Sequence, residues 1–196
     1  MADNRSHYII YSIVILFLLF WSVVSVSYYG FKHSEIVLDK ETTDDIITDV
    51  ARIPNFVGIM IIRADIQTNE RHIIYSYIAD PETRKLFTDF FQNKTVTPAQ
   101  PLFVKGDDKI NNRIVRLINH QYDCSPWTDL IGSKFVPASM STITSACGVA
   151  IPPSYGAFDG MVTIFLSKEP TDADRILLGT VLKDISNDVS RAMAKH

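Results

Sequence analysis

The sequence predicts an α+β domain with an antiparallel sheet of about five strands and flanking helices, set behind a single membrane-spanning helix. Three observations carry this. From Tyr8 to Phe31 no residue bears a charge. Beyond it, β-rich and helix-periodic segments come in runs rather than in alternation, and parallel strands would need alternating crossovers. No repeat, low-complexity tract or linker divides that region, so it reads as one domain. The expected organisation is a short cytoplasmic head at 1–7, a transmembrane helix at 8–31 and a periplasmic domain at 32–196.

As a helix, the uncharged run would be roughly 36 Å long at about 1.5 Å per residue. The hydrocarbon layer is about 30 Å thick, so the run spans it with some tilt. Tyr8, Tyr11, Tyr28 and Tyr29 flank the run, where interface anchors belong. Ser25-Val26-Ser27 offers a small-x-small cleavage triplet, but the apolar run is longer than a signal h-region. An uncleaved anchor is therefore expected. The basic residues on its two sides nearly balance. The small head decides the orientation: N-terminus in the cytoplasm, large domain in the periplasm.

Residues 34–53 repeat Ile46, Ile47, Val50 and Ile53 at helical spacing, with Thr42 or Thr43 as cap and Pro54 as stop. Two β-rich runs, 56–66 and 71–80, flank a short polar turn and read as a hairpin. Asp80-Pro81 is a helix start, Asp as cap and Pro at the first position. Leu86, Phe87, Phe90 and Phe91 form that helix's stripe. Asp107 or Asp108 opens another helix, carrying Ile110, Ile114, Leu117, Ile118 and Tyr122 until Ser125-Pro126 breaks it. Three strands are expected next: around Phe135-Val136, at 143–151 and at 160–166. Thr171-Asp172-Ala173-Asp174 resembles a capping box opening a long terminal helix. This order of elements is that of PAS-like and Cache-like sensor domains.

Lys plus Arg number 19 and Asp plus Glu 22, for a formal charge of −3. A nucleic-acid binder needs a basic footprint, so none is expected here. No nucleophile elbow, zincin motif, P-loop or dinucleotide fingerprint occurs, and no catalytic, cofactor or metal site is predicted. His120 and Cys124 stand four apart on the expected helix and would share a face. They lack the third group that catalysis needs and the further ligands that a metal needs. The paired carboxylates at 44–45, 107–108 and 172/174 fall at helix starts, which the macrodipole explains.

Cys124 and Cys147 have two readings. In the periplasm they would form a bridge worth roughly 3 kcal/mol; otherwise they are two buried thiols. Within the anchor, Ser22 and Ser25 lie three apart on one helix face and form a candidate seam for self-association.

Near the C-terminus stand Cys147, a Pro-rich turn, GAFDGMVTIFLSKEP and a terminal helix ending SNDVSRAMAKH. This succession, with the short head and single anchor, resembles the holins of T-even phages. The resemblance implies a protein that accumulates in the host inner membrane, oligomerises there and opens a timed lesion releasing endolysin. It further implies that an antiholin binds the periplasmic domain. The alternative is a membrane-anchored periplasmic ligand-binding or sensor domain acting through a partner. Neither reading is that of an enzyme.

Overall fold

The computed structural model describes residues 14, 15, 17, 18, 21, 38–90, 100–130 and 142–194. The chain divides into two compact units, Met1–Glu35 and Ile36–His196. In the first, Val14, Ile15, Phe17, Leu18 and Trp21 are helical and exposed. The Phe17 and Trp21 rings stack with centroids 6.2 Å apart.

The second unit opens with α1, Lys40–Val50. Its cap is Asp39, whose Oδ1 accepts from Thr42 N at 2.8 Å. Thr43, an expected cap, bonds back to Lys40 O instead. Strands β1, Phe56–Asp65, and β2, Glu70–Ile78, form a hairpin. Asp65 Oδ1 accepts from Gln67 N and Thr68 N, an Asx turn, and Asn69 takes the left-handed conformation at φ 55°. Helix α2, Pro81–Phe90, starts on Asp80, whose Oδ2 accepts from Thr83 N at 2.7 Å. Next come β3, Gln100–Pro101, and α3, Asp108–Ile118, capped by Asp107. Then follow β4, Asp123–Pro126, and the single turn α4, Trp127–Leu130. The chain continues through β5, Ser145–Ile151, and β6, Gly160–Leu166, to the long α5, Asp172–Met193. Thr171 and Asp174 close a capping box at its start.

The six strands among the described residues form one sheet, ordered β3-β2-β1-β6-β5-β4, with every neighbour antiparallel. Alternation along the strands sends side chains to two apolar layers. On one face Ile59, Ile61, Val162 and Ile164 meet Ile46 and Val50 of α1 and Leu182, Ile185 and Val189 of α5. On the other, Ile62, Ile73, Ala146 and Phe165 meet Phe87 of α2 and Ile110, Ile114 and Leu117 of α3.

Several expectations are corrected. Among the described residues the sheet has six strands, against an expectation of about five. Helix α3 stops at Ile118 instead of running to Tyr122, and Ser125-Pro126 ends a strand, not a helix. The strand expected at Phe135-Val136 lies outside the described residues, as do Ser22 and Ser25. The single-pass inner-membrane placement is not supported: among the described residues no helix is long and apolar enough to cross a membrane. The expected anchor at 8–31 lies for the most part outside them.

Candidate functional site

On the face covered by α2 and α3, one cross-strand row is unlike its neighbours. Asp123 on β4 stands opposite Gly148 on β5, Gly148 opposite Thr163 on β6, Thr163 opposite Met60 on β1, and Met60 opposite Ser76 on β2. The flanking positions Ala146, Phe165, Ile62 and Ile73 are apolar and buried. The row brings an acid, a hydroxyl and a bare backbone into the middle of that layer.

Arg113 lies over this row. The buried stripe of α3 is Ile110, Arg113, Ile114 and Leu117, at spacings of three, four and seven, so the arginine takes a core position. Its Nη1 donates to Asp123 Oδ2 and to Ala146 O, both at 2.8 Å. Asp123 also accepts from Arg116 Nε at 2.6 Å and from Ser125 Oγ at 2.9 Å. The Arg113 and Asp123 side chains are only 7% and 5% exposed, whereas that of Arg116 is 43% exposed.

Two guanidiniums thus share one carboxylate: Arg113 and Asp123 form a buried neutral pair, and the extra positive charge sits on the partly exposed Arg116. Burial pushes the Arg113 guanidinium below its ordinary range; Asp123 opposes that shift and Arg116 adds to it. Arg113 Nη2 is buried and has no hydrogen-bond partner among the described residues. A buried donor without an acceptor is costly, and native structures hold few of them.

Gly148 makes this placement possible. A Cβ there would stand 2.9 Å from Arg113 Nη2, 2.9 Å from Val162 O and 3.2 Å from Thr163 Oγ1. The guanidinium therefore rests on the bare strand, with the Thr163 hydroxyl beside the same point. Trp127 Nε1 is a second buried donor lacking a partner among the described residues. The Trp127 ring belongs to the same apolar layer and meets Phe165 edge-on, with centroids 5.5 Å apart.

The residues singled out from sequence fare differently. Cys124 and Cys147 face one another across β4 and β5, Cα to Cα 3.9 Å, with their sulfurs joined in a disulfide. They lie on the α1/α5 face, opposite Arg113. His120 and Cys124 do not share a helix face. His120 follows the end of α3 at φ 55°, and Cys124 lies in a strand. The His120 ring meets Pro152 O at 3.1 Å through Nδ1, so it holds the β5–β6 connection. Asp107, Asp172 and Asp174 serve helix starts, while Asp44 and Asp45 lie inside α1. Among the described residues no group of His, Cys, Asp and Glu is placed to hold a metal ion. Sequence reasoning missed the Arg113 cluster. The available signal was an arginine at an apolar-stripe position of α3.

No family model matches the sequence, and no curated protein matches it. Solved structures do. One is the GAF domain/HD domain protein from Geobacter sulfurreducens, at 14% identity over 79% of this chain and 93% of that one, TM-score 0.51. Another is the red-light-absorbing state of NpR6012g4, a red/green cyanobacteriochrome, at 9% identity over 83% and 99%, TM-score 0.52. At these identities the likeness shows the fold alone. It corrects the PAS-like and Cache-like expectation to a GAF-like sheet, in which β4, read from sequence as the tail of a helix, is an edge strand. The holin expectation is corrected on the same ground. Cys147, GMVTIFL and the terminal helix, which carried that resemblance, are β5, β6 and α5 of this fold. The described residues of the second unit thus have the fold of a GAF domain.

Proposed function

We propose that residues 36–196 form a regulatory sensor domain. It binds a small molecule on the sheet face under α2 and α3 and passes its occupancy to a partner, without catalysing a reaction. The fold supports this reading, and one observation carries it: Arg113 Nη2, a buried donor with no acceptor among the described residues, in a largely apolar layer. Ligand sites are mostly apolar with a few placed polar groups, and this face has that composition.

Trp127 reports on the same layer, so the test can be local. A Trp21→Phe chain keeps Trp127 as its sole tryptophan. It would be screened against a small-metabolite library by thermal shift and by Trp127 emission. Compounds that both raise Tm and change the emission are expected, since a ligand that binds only the folded state stabilises it. A library with no stabilising compound refutes the proposal, as does stabilisation that leaves Trp127 unaffected.

A further inference from the structure

We infer that the Cys124–Cys147 disulfide is a redox latch on the edge of the sheet. Closed, it keeps β4 and α4 from opening apart from the rest of the domain; reduced by a dithiol, it lets them open. The inference goes beyond the sensor reading and holds whether or not the face takes a small molecule. Three observations lead to it. Among the described residues β4 is the outermost strand on its side of the sheet, four residues long and paired with β5 alone. Its last residue is Pro126, which has no N–H to give the ladder. The bridge, secondly, joins Cys124 inside this strand to Cys147 directly opposite on β5. β5 is paired with β6 on its other side, and all its residues are buried. Thirdly, the segment fastened in this way closes the other face of the sheet. Asp123 is the counter-charge of Arg113, and the Trp127 ring packs edge-on against Phe165. The Trp127 backbone N–H donates to Thr144 O at 2.7 Å.

Proteins open in parts as well as globally, and short peripheral elements open most easily. With the sulfurs joined, β4 cannot leave β5, because Cys124 is tied to a strand that only opening of the sheet itself would free. Reduction removes the tie. A thiolate of the dithiol attacks Cys124 Sγ, since Cys124 is half-buried on the edge while Cys147 is fully buried. The Sγ–Sγ bond breaks, Cys147 leaves as a thiolate and takes up a proton, and a mixed disulfide joins Cys124 to the reductant. The reductant's second thiol then displaces Cys124, which is protonated in turn. Two electrons and two protons pass to the protein, leaving two cysteine thiols and the dithiol oxidised to its own disulfide. The edge is then held by non-covalent contacts alone. When it opens, Arg113 loses its carboxylate and Phe165 its aromatic neighbour. The bridge lies on the α1/α5 face, so its redox state is expressed across the sheet, on the α2/α3 face.

The test is hydrogen–deuterium exchange of the full wild-type chain, bridged and after treatment with dithiothreitol, with the state of the bridge checked by alkylation. Within each sample, exchange of the Trp127 amide is compared with that of Ile59 and Ile164, which pair across β1 and β6. Reduction should raise the ratio of the first to the second by about 10–100-fold, the upper figure being the full effect of closing this loop. A Cys124→Ala, Cys147→Ala double variant should show the raised ratio without reductant, and dithiothreitol should not change it. A ratio that reduction leaves unaltered overturns the inference. So does a bridge that excess dithiothreitol cannot reduce in the folded chain. If Trp127, Ile59 and Ile164 all exchange together after reduction, or the double variant does not fold, the bridge staples the whole domain and is no latch.

Discussion

Asp123→Asn tests the buried cluster most directly. The side chain keeps its shape and an acceptor oxygen but loses its charge. In the wild type the carboxylate receives Arg113 Nη1 at 2.8 Å, Arg116 Nε at 2.6 Å and Ser125 Oγ at 2.9 Å. Without its charge, two guanidiniums stand together with nothing opposite them. Arg116 can turn to solvent; Arg113, 7% exposed, cannot. Breaking one side of a buried pair costs about 3–5 kcal/mol. For a domain of this size about 2–4 °C of Tm accompanies each kcal/mol, so a fall of roughly 6–20 °C is expected. Adding Arg113→Met removes the stranded charge and should restore most of the loss, because replacing both partners of a buried pair by neutral groups is often near neutral. The assay is urea unfolding of wild type, both single variants and the double variant, read as a double-mutant cycle. A cost under about 1 kcal/mol for Asp123→Asn, or strictly additive effects, would refute the view that this pair organises the site.

Other outcomes are expected. Mass analysis of the native chain without reductant should give a mass two protons lower, with no alkylatable thiol. Cys147→Ser should then cost roughly 3 kcal/mol of loop-closure stabilisation over a separation of 23 positions. Full alkylation of the native protein would rule the bridge out. Gly148→Ala should destabilise by about 1–3 kcal/mol in thermal unfolding, because the new methyl meets Arg113 Nη2 and Val162 O, each 2.9 Å away. The backbone and hydroxyl of Thr83 hold Asp80 below the ordinary carboxylate value of 3.8, and Thr171 does the same for Asp174. Depressed folded values stabilise above 3.8, and that stabilisation disappears as pH falls through them. Thr171→Ala should therefore flatten the acid limb of the stability–pH curve, measured by urea unfolding between pH 5 and 2.

Local chemistry made much of the fold legible. The β1–β2 hairpin, Asp80-Pro81 and the Thr171–Asp174 box are signals within a few residues, and each has a short-range physical cause. β4 was not legible. Asp123–Pro126 is too short to show alternation, and its strand state comes from pairing with β5, about twenty residues on. Without β4 there was no reason to place Asp123 under Arg113. The site joins one helix to three strands, so no spacing motif announces it. The charge on the α3 stripe was its one local trace. The holin function was drawn from a stretch of low specificity: GMVTIFL is an apolar central strand, and many sheets contain one.

The strand order also sets how this chain must fold. β3-β2-β1 and β6-β5-β4 are each contiguous in sequence, and the β1–β6 seam is the one pairing between them. That seam sets Phe56 against Leu166, across more than half the chain. Each half can organise through local hairpins, but joining them means closing a very long loop before any contact repays the entropy. Formation of the seam is therefore expected to limit the rate. Ile59→Val and Ile164→Val, directly opposite across it, should slow folding. Destabilising changes in the Asp65 turn should mainly speed unfolding if the turn forms after the seam and slow folding if before. The two limbs of a chevron plot separate these orders of events.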